Sequence, residues 1–479
     1  MGFELDRQSR QELGYKLIDR INDFFESLPT RHVQLPTEAR TFGPLSDRLP
    51  EFGNEAAAVL DDLCNDLINE GFHVPAANYF GLMNPTPTYM AVLAEALVAA
   101  LNPQLASLAR SQLESKIENE TVRWIGERIG WNVPFDGTFT TGGNEANFSA
   151  LALALAKHFP ESIDNGIASI GAQPVVYTSA EAHHSLDKSV GLLGLGRKAL
   201  RRIATNDRVQ LDPALLIQQI EADRSAGHRP FCVVATAGTT NSGAIDDIPE
   251  LAAICEKYNL WLHLDGAYGA AAIFSDKHRD LVAGIERTDS VTIDPHKWLA
   301  MPFAAGVVLT RHPQSLRDAF EVSTPYMPKV QGPALTDNFK VSTQWSRRMN
   351  SLKLYLTLRV HGRAAYEELI DRQLLLARQA ADWFQRSEPF ELAAPQVLPI
   401  LNFRLRGVSE HELSAAHARL VEDVTHDGQR WISQTYVNGR SVLRMMIISY
   451  LTTEEHVRAL QQALEQAVHA LRSHSAAGD

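Results

Sequence analysis

The rhythm of apolar and polar positions changes near residue 91. Residues 1–90 read as helical and loop-rich, with Pro36, Pro44 and Pro50 marking an irregular connection. Beyond them, 91–100 and 114–129 read as helices, and 144–158, rich in alanine and leucine, reads as a helix that follows a glycine pair. Short apolar runs then alternate with helical patterns. The runs 174–178, 231–236, 261–265, 290–293 and 306–310 are predicted strands, buried on both faces because they are apolar without a period of two. Helical patterns at 213–222 and 249–257 fall between some of them. This alternation predicts an α/β fold with a mostly parallel sheet. A long helical region follows at about 351–386. After it come an apolar run at 398–405, a helix at 410–423, a strand at 442–449 and a last helix from Glu454, which predict a smaller C-terminal α/β domain. The expected organisation is an N-terminal helical segment (1–90), a large domain (91–375) and a small domain (376–479).

Composition narrows the partners more than the fold. With 479 residues, 45% hydrophobic and 21% charged, the chain has an ordinary globular balance. A formal net charge of −12 argues against a nucleic-acid or anionic-membrane partner, though it says nothing about a pocket. Cys64, Cys232 and Cys255 are few, odd in number and unclustered, as expected of buried thiols in a reducing, cytoplasmic compartment. The first residues lack the basic-then-apolar pattern of a signal peptide, and position 6 is Asp6, which breaks the myristoylation pattern. The longest apolar region, 89–109, is interrupted by Glu95, Asn102 and Pro103, so it predicts a buried helix and a break, not a membrane span.

Candidate chemistry collects at the ends of the predicted strands. Ser290-Val-Thr-Ile-Asp-Pro-His-Lys297 sets a lysine after an apolar strand; a lysine whose pKa falls on burial can form a Schiff base with a carbonyl, and equally a strand-end lysine can simply reach water. Thr140-Thr-Gly142-Gly143-Asn144 is a glycine turn opening a helix. It offers free N–H groups and a positive helix end to a phosphate, with Asn144 able to cap the helix; an ordinary turn would look the same. Asp265 ends the 261–265 strand, where a carboxylate can pair with a protonated ring nitrogen or cap the next helix, and Ala267 is small enough to lie against a flat ring. His183 and His184 follow the 174–178 strand, where a histidine can stack on a cofactor or sit on a surface loop. Thr240 lies in a turn after the 231–236 strand. The arginines of Gln344-Trp-Ser-Arg347-Arg348, and Arg444, could bind a carboxylate or form structural ion pairs. No second cluster of ligands accompanies the histidines, so no metal is expected. Taken together, the cradle, histidine, aspartate and lysine are the parts of a pyridoxal 5'-phosphate (PLP) site.

With these motifs, the chain resembles the group II PLP-dependent amino-acid decarboxylases over roughly residues 55–460, with 290–311 fitting the family's lysine-site signature throughout. The resemblance implies PLP fold type I, like aspartate aminotransferase, and a homodimer. It implies Lys297 as the cofactor-bound lysine, Asp265 on the ring nitrogen with Ala267 against the ring, and His183 stacked on it. Gly142, Gly143 and Asn144 would lie at the phosphate, and Thr240 and His296 would contact the cofactor. Asp294 stands where several relatives have asparagine, and a supporting role behind the phosphate is expected of it. Tyr326 matches a catalytic-loop tyrosine that helps protonate the substrate's α-carbon, which favours simple decarboxylation over oxidative deamination. Arg444 matches an arginine that meets substrate carboxylate in some members. Phe80, Pro85 and Thr86, in a stretch that only partly matches the family pattern, are expected to shape a pocket for an aromatic or other bulky amino acid, while the Phe and Tyr of this stretch fit an interface core equally well. The rivals are another PLP activity (aldehyde synthase, aminotransferase or carbon–carbon lyase) and a non-catalytic scaffold of the same fold.

Overall fold

The computed structural model describes residues 3–39, 49–324 and 336–476. Seven strands build the main sheet: β1 (Asp136–Thr140), β2 (Pro174–Ser179), β3 (Leu200–Ile203), β4 (Arg229–Thr236), β5 (Trp261–Asp265), β6 (Ser290–Ile293) and β7 (Gly306–Thr310). Their order is β1-β7-β6-β5-β4-β2-β3. The pairs from β6 through β3 are parallel, and β7 runs antiparallel to both its neighbours. The five strands expected from the apolar runs are the five centred in this sheet, and the α/β expectation holds.

Register decides where chemistry can occur. Thr236 pairs with Asp265, and Asp265 with Thr292, so the carboxyl ends of β4, β5 and β6 lie level. Ligands of open α/β sheets bind beyond such ends. The helix Gly143–His158 packs against β4, β5, β6 and β7. Its buried face is Ala146, Asn147, Ser149, Ala150 and the small or branched residues that follow, which lets helix and sheet approach closely. The helix Tyr89–Leu101 ends at Asn102 in a left-handed conformation (φ 45°), the break expected there.

The long segment Ser351–Arg386 is two helices joined at Gly362, whose φ of 71° and ψ of 174° are open to glycine and costly for other residues. Beyond it, β8 (Phe390–Leu392), β9 (Ile400–Leu405), β10 (Ser433–Val437) and β11 (Arg440–Met446) form an antiparallel sheet in the order β10-β11-β9-β8. This is the core of the smaller C-terminal domain, backed by the helices Glu410–Thr425 and Glu454–Ala476. Phe384 stacks on Phe403 at 4.0 Å between ring centroids, with Phe390 edge-on to both. No helix among the described residues is long and apolar enough to cross a membrane.

Candidate active site

A cavity of about 370 Å³ opens at the level ends of β4, β5 and β6. Three segments supply its chemistry. After β6 the chain turns at Asp294–Lys297, closed by the Lys297 amide donating to the Asp294 carbonyl at 2.9 Å. This places Lys297 Nζ 3.2 Å from Asp294 Oδ2, with His296 Nε2 3.6 Å from the same oxygen. Asp294 Oδ1 is buried and has no hydrogen-bond partner among the described residues. The residues that follow the lysine turn are held from behind by the two helices joined at Gly362. Trp298 donates to Gln373 at 2.6 Å, Tyr366 to the Leu299 carbonyl at 3.0 Å, and Lys353 to the Ala304 carbonyl at 2.8 Å. Lys353 is the fully buried lysine of this region; burial lowers its pKa, and the Glu95 carboxylate opposes that shift.

Asp265 lies on the cavity wall with both oxygens occupied. Oδ2 accepts from Asn147 Nδ2 at 2.8 Å and Oδ1 from the Ala267 amide at 3.2 Å. The glycine turn faces it. Gly142 has φ 151° and ψ 178°, a conformation confined almost to glycine. A Cβ on Gly143 would stand 2.8 Å from Asp294 Oδ2 and 3.3 Å from the Ala267 Cβ, so a side chain there would fill the cradle. The expected cap is corrected. The helix starts at Gly143 with Gly142 as its N-cap and no side-chain cap bond, so Asn144 sits inside the first turn. Glu145 does the tethering instead: its carboxylate accepts from the Thr141 amide and hydroxyl, both at 2.8 Å, and from Gln344 and Thr343.

His183 and His184 part company. His183 lines the cavity, and its Nδ1 accepts from the Ser185 amide at 3.2 Å. Desolvation by the cavity wall lowers its pKa, the Lys297 charge adds to this, and Asp265 opposes it. His184 points outward to Asp187. Thr240, Ala267, Asp294 and His296 also line the cavity. Asp294 stands in the cavity wall, with its Oδ1 buried.

None of the four expected substrate residues lines the cavity. Phe80 is buried in the C-terminal domain core, its amide donating to the Trp431 carbonyl and its carbonyl accepting from Met446, both at 2.9 Å. Thr86 is buried with its hydroxyl 2.6 Å from Ser449 Oγ, and Pro85 is buried beside it. The apolar character that marked this stretch serves packing. Arg444 is buried one residue behind the cavity, donating to the Thr240 carbonyl at 2.9 Å and to Ser433 Oγ at 3.1 Å. Burial lowers its pKa to about 10, and it forms no carboxylate ion pair among the described residues. Arg347 is a structural ion pair, buried against Glu118 at 2.6 Å. Tyr326 lies outside the described residues. Sequence reasoning gave no role to Asn147, Tyr268 and Phe303, which also line the cavity, as does Thr236 of the hydroxyl-bearing 236–240 turn. Thr236, the last residue of β4, carried the same strand-end signal as Asp265.

The residues present fit PLP. The cavity offers a carboxylate to a ring nitrogen, a primary amine on the same wall, and a helix N-terminus where an added Cβ would block entry. Among the described residues no group of three or more His, Cys, Asp or Glu is placed to hold a metal ion.

Comparison with known proteins shows the family. The chain is 31% identical over 471 residues to an aromatic-L-amino-acid decarboxylase of Bacillus atrophaeus, covering 96% of each chain. It is 32% identical over 334 residues to an acidic amino acid decarboxylase of Homo sapiens, covering 69% of this chain and 64% of that one. Its fold superposes on the crystal structure of Oryza sativa TDC with PLP and tryptamine with a TM-score of 0.91 at 24% identity, covering 98% of this chain and 100% of that one. The pyridoxal-dependent decarboxylase conserved domain matches residues 41–406. Both named relatives are decarboxylases, one of aromatic and one of acidic amino acids. The chain belongs to the pyridoxal-dependent decarboxylase family and is a PLP-dependent amino-acid carboxy-lyase.

Proposed function

We propose that this enzyme converts an aromatic or other bulky L-amino acid to its amine and CO2. The observation that carries the reading is the convergence of Asp265, Lys297 and the Gly142–Gly143 turn on one cavity. Bound there, PLP supplies a reactive carbonyl and an electron sink for the pair left when CO2 departs. Lys297 holds its amine at the cavity from a turn whose following residues make three hydrogen bonds to the helices on either side of Gly362, which limits its search for the reacting carbonyl. Asp265 keeps a proton on the ring nitrogen by charge-assisted pairing. His183 covers the ring with an uncharged imidazole, and Ala267 leaves room for the ring. The amides of Gly143 and Asn144 receive the phosphate at the helix N-terminus, while Thr240, Asp294 and His296 complete the cofactor contacts.

Arg444 supports carboxylate binding, because a buried guanidinium without a carboxylate partner among the described residues favours an anion brought close to it. Phe303, exposed on the cavity rim with its ring 4.5 Å from that of His296, supports an aromatic or bulky substrate. Tyr326 is assigned the protonation of the α-carbon. A homodimer is part of the reading: the helices Arg7–Ser27 and Ala56–Glu70 bury no residue, and Tyr15, Leu63 and Leu67 are exposed on them. A cytoplasmic setting rests on the three unpaired thiols.

A panel of L-amino acids assayed for CO2, amine, ammonia, peroxide and keto acid tests the reaction and its substrate together. CO2 with a stoichiometric amine from an aromatic substrate supports it. Aldehyde with ammonia, or keto acid without CO2, overturns it.

A further inference from the structure

Behind Asp265 runs a line of buried polar side chains that no step above uses. We propose that Trp261, Ser290, His263 and Asn147 form a one-way hydrogen-bond relay that fixes Asp265 and donates into its Oδ2, and so sets how firmly the cofactor's ring nitrogen keeps its proton. The inference rests on the pairing of Asp265 with that nitrogen proposed above.

The strand period places the line. Residues 261, 263 and 265 share one face of β5, and Ser290 of β6 pairs in register with His263. The helix Gly143–His158 covers that face and lowers Asn147 onto it. The contacts are continuous: Trp261 Nε1 to Ser290 Oγ 2.8 Å, Ser290 Oγ to His263 Nδ1 2.9 Å, His263 Nε2 to Asn147 Oδ1 3.0 Å, and Asn147 Nδ2 to Asp265 Oδ2 2.8 Å. All of these groups are buried.

Direction follows from donor and acceptor chemistry. An indole N–H only donates, so it begins the line; a carboxylate only accepts, so it ends it. If the Asn147 amide were turned over, its oxygen would face Asp265 Oδ2 at 2.8 Å with no proton between them. Asn147 therefore donates to Asp265 and presents Oδ1 to His263, which must carry its proton on Nε2. Complete burial pushes the His263 pKa down to about 4, so the ring is neutral and Nδ1 accepts from the Ser290 hydroxyl. The Ser290 carbonyl, 3.2 Å from Nδ1, could take a proton only if Asn147 Oδ1 lost its donor. Each bond thus polarises the next towards the carboxylate, in a low-dielectric interior where such chains strengthen one another. His263 and Asn147 are positioning residues; Asp265 is the group that meets the cofactor.

The relay is tested first in cofactor-free protein by 15N NMR of labelled histidine, with the His263 signal assigned by its loss in His263→Gln. The Nε2–H neutral tautomer, kept down to about pH 5, is expected; an Nδ1–H tautomer or a cation near neutral pH overturns the relay. The holoenzyme is then loaded with PLP carrying 15N in its ring. Asn147→Leu and His263→Leu should move the ring signal towards its unprotonated position, a change of about tenfold or more in the protonation equilibrium. His263→Gln, whose amide can replace Nε2–H, should restore it. An unchanged signal in the leucine variants, while Asp265→Asn shifts it, refutes the relay and leaves the reading of Asp265 standing. An unchanged signal in Asp265→Asn refutes that reading instead. If the leucine variants fail to fold, the tautomer measurement still decides.

Discussion

Two carboxylates stand in the same cavity wall, and the fold treats them differently. Asp265 is finished by the protein: Asn147 and the Ala267 amide occupy its oxygens, and His263 and Ser290 support Asn147 from behind. Asp294 is left open, with Lys297 and His296 near one oxygen and no partner for the other among the described residues. A buried carboxylate oxygen without a partner is costly, whereas one held by donors is preorganised. The contrast teaches which carboxylate the protein's own donors hold in place and which it leaves with an orphan oxygen.

Perturbing the open end should have the largest effect. Lys297→Ala should cut CO2 release by on the order of 10²–10⁴-fold while leaving the fold intact by circular dichroism, because the amine is lost and Asp294 loses its cation. At the finished end, His263 should show in stability against pH. Its folded pKa, about 4, lies below the ordinary value near 6.5, so the unfolded chain takes the proton first as pH falls. Its share of stability is present above about pH 6.5 and lost towards pH 4. His263→Gln should remove up to about 3 kcal/mol of that slope in urea titrations. An unchanged slope would mean that His263 is not neutral and buried as described.

Two smaller tests separate the ends further. Gly143→Ala puts a methyl into the cradle beside Asp294 and should weaken PLP binding by about 1–3 kcal/mol in a fluorescence titration, with the His263 tautomer unchanged. Glu145→Gln loosens the tether between the glycine turn and Thr343–Gln344. It should raise amide exchange at residues 141–144 roughly fivefold, equivalent to about 1 kcal/mol.

Much of the fold was legible because its central strands are apolar on both faces. The strands that escaped notice, β1, β3, β8 and β10, are the four edges of the two sheets. Edge strands are short and carry polar residues, as in Leu200-Arg-Arg-Ile203 and Ser433-Gln-Thr-Tyr-Val437, which removes the apolar signal. The glycine conformation at position 362 likewise hid a break inside a helical pattern. In the site, residues at strand ends were legible because position alone marks them. Asn147 and His263 were not, since each looks like an ordinary buried polar residue until a contact across 116 positions joins them. Phe80 stayed open between two readings because an aromatic side chain reads the same whether it faces a substrate or a core.

The central claim is that this cavity holds PLP on Lys297. Reconstituted enzyme reduced with borohydride, digested and examined by mass spectrometry tests it directly. The account predicts a pyridoxyl group on the peptide containing Lys297 and on no other lysine, Lys353 included. Labelling at a different lysine, or none after saturation with PLP, would contradict it.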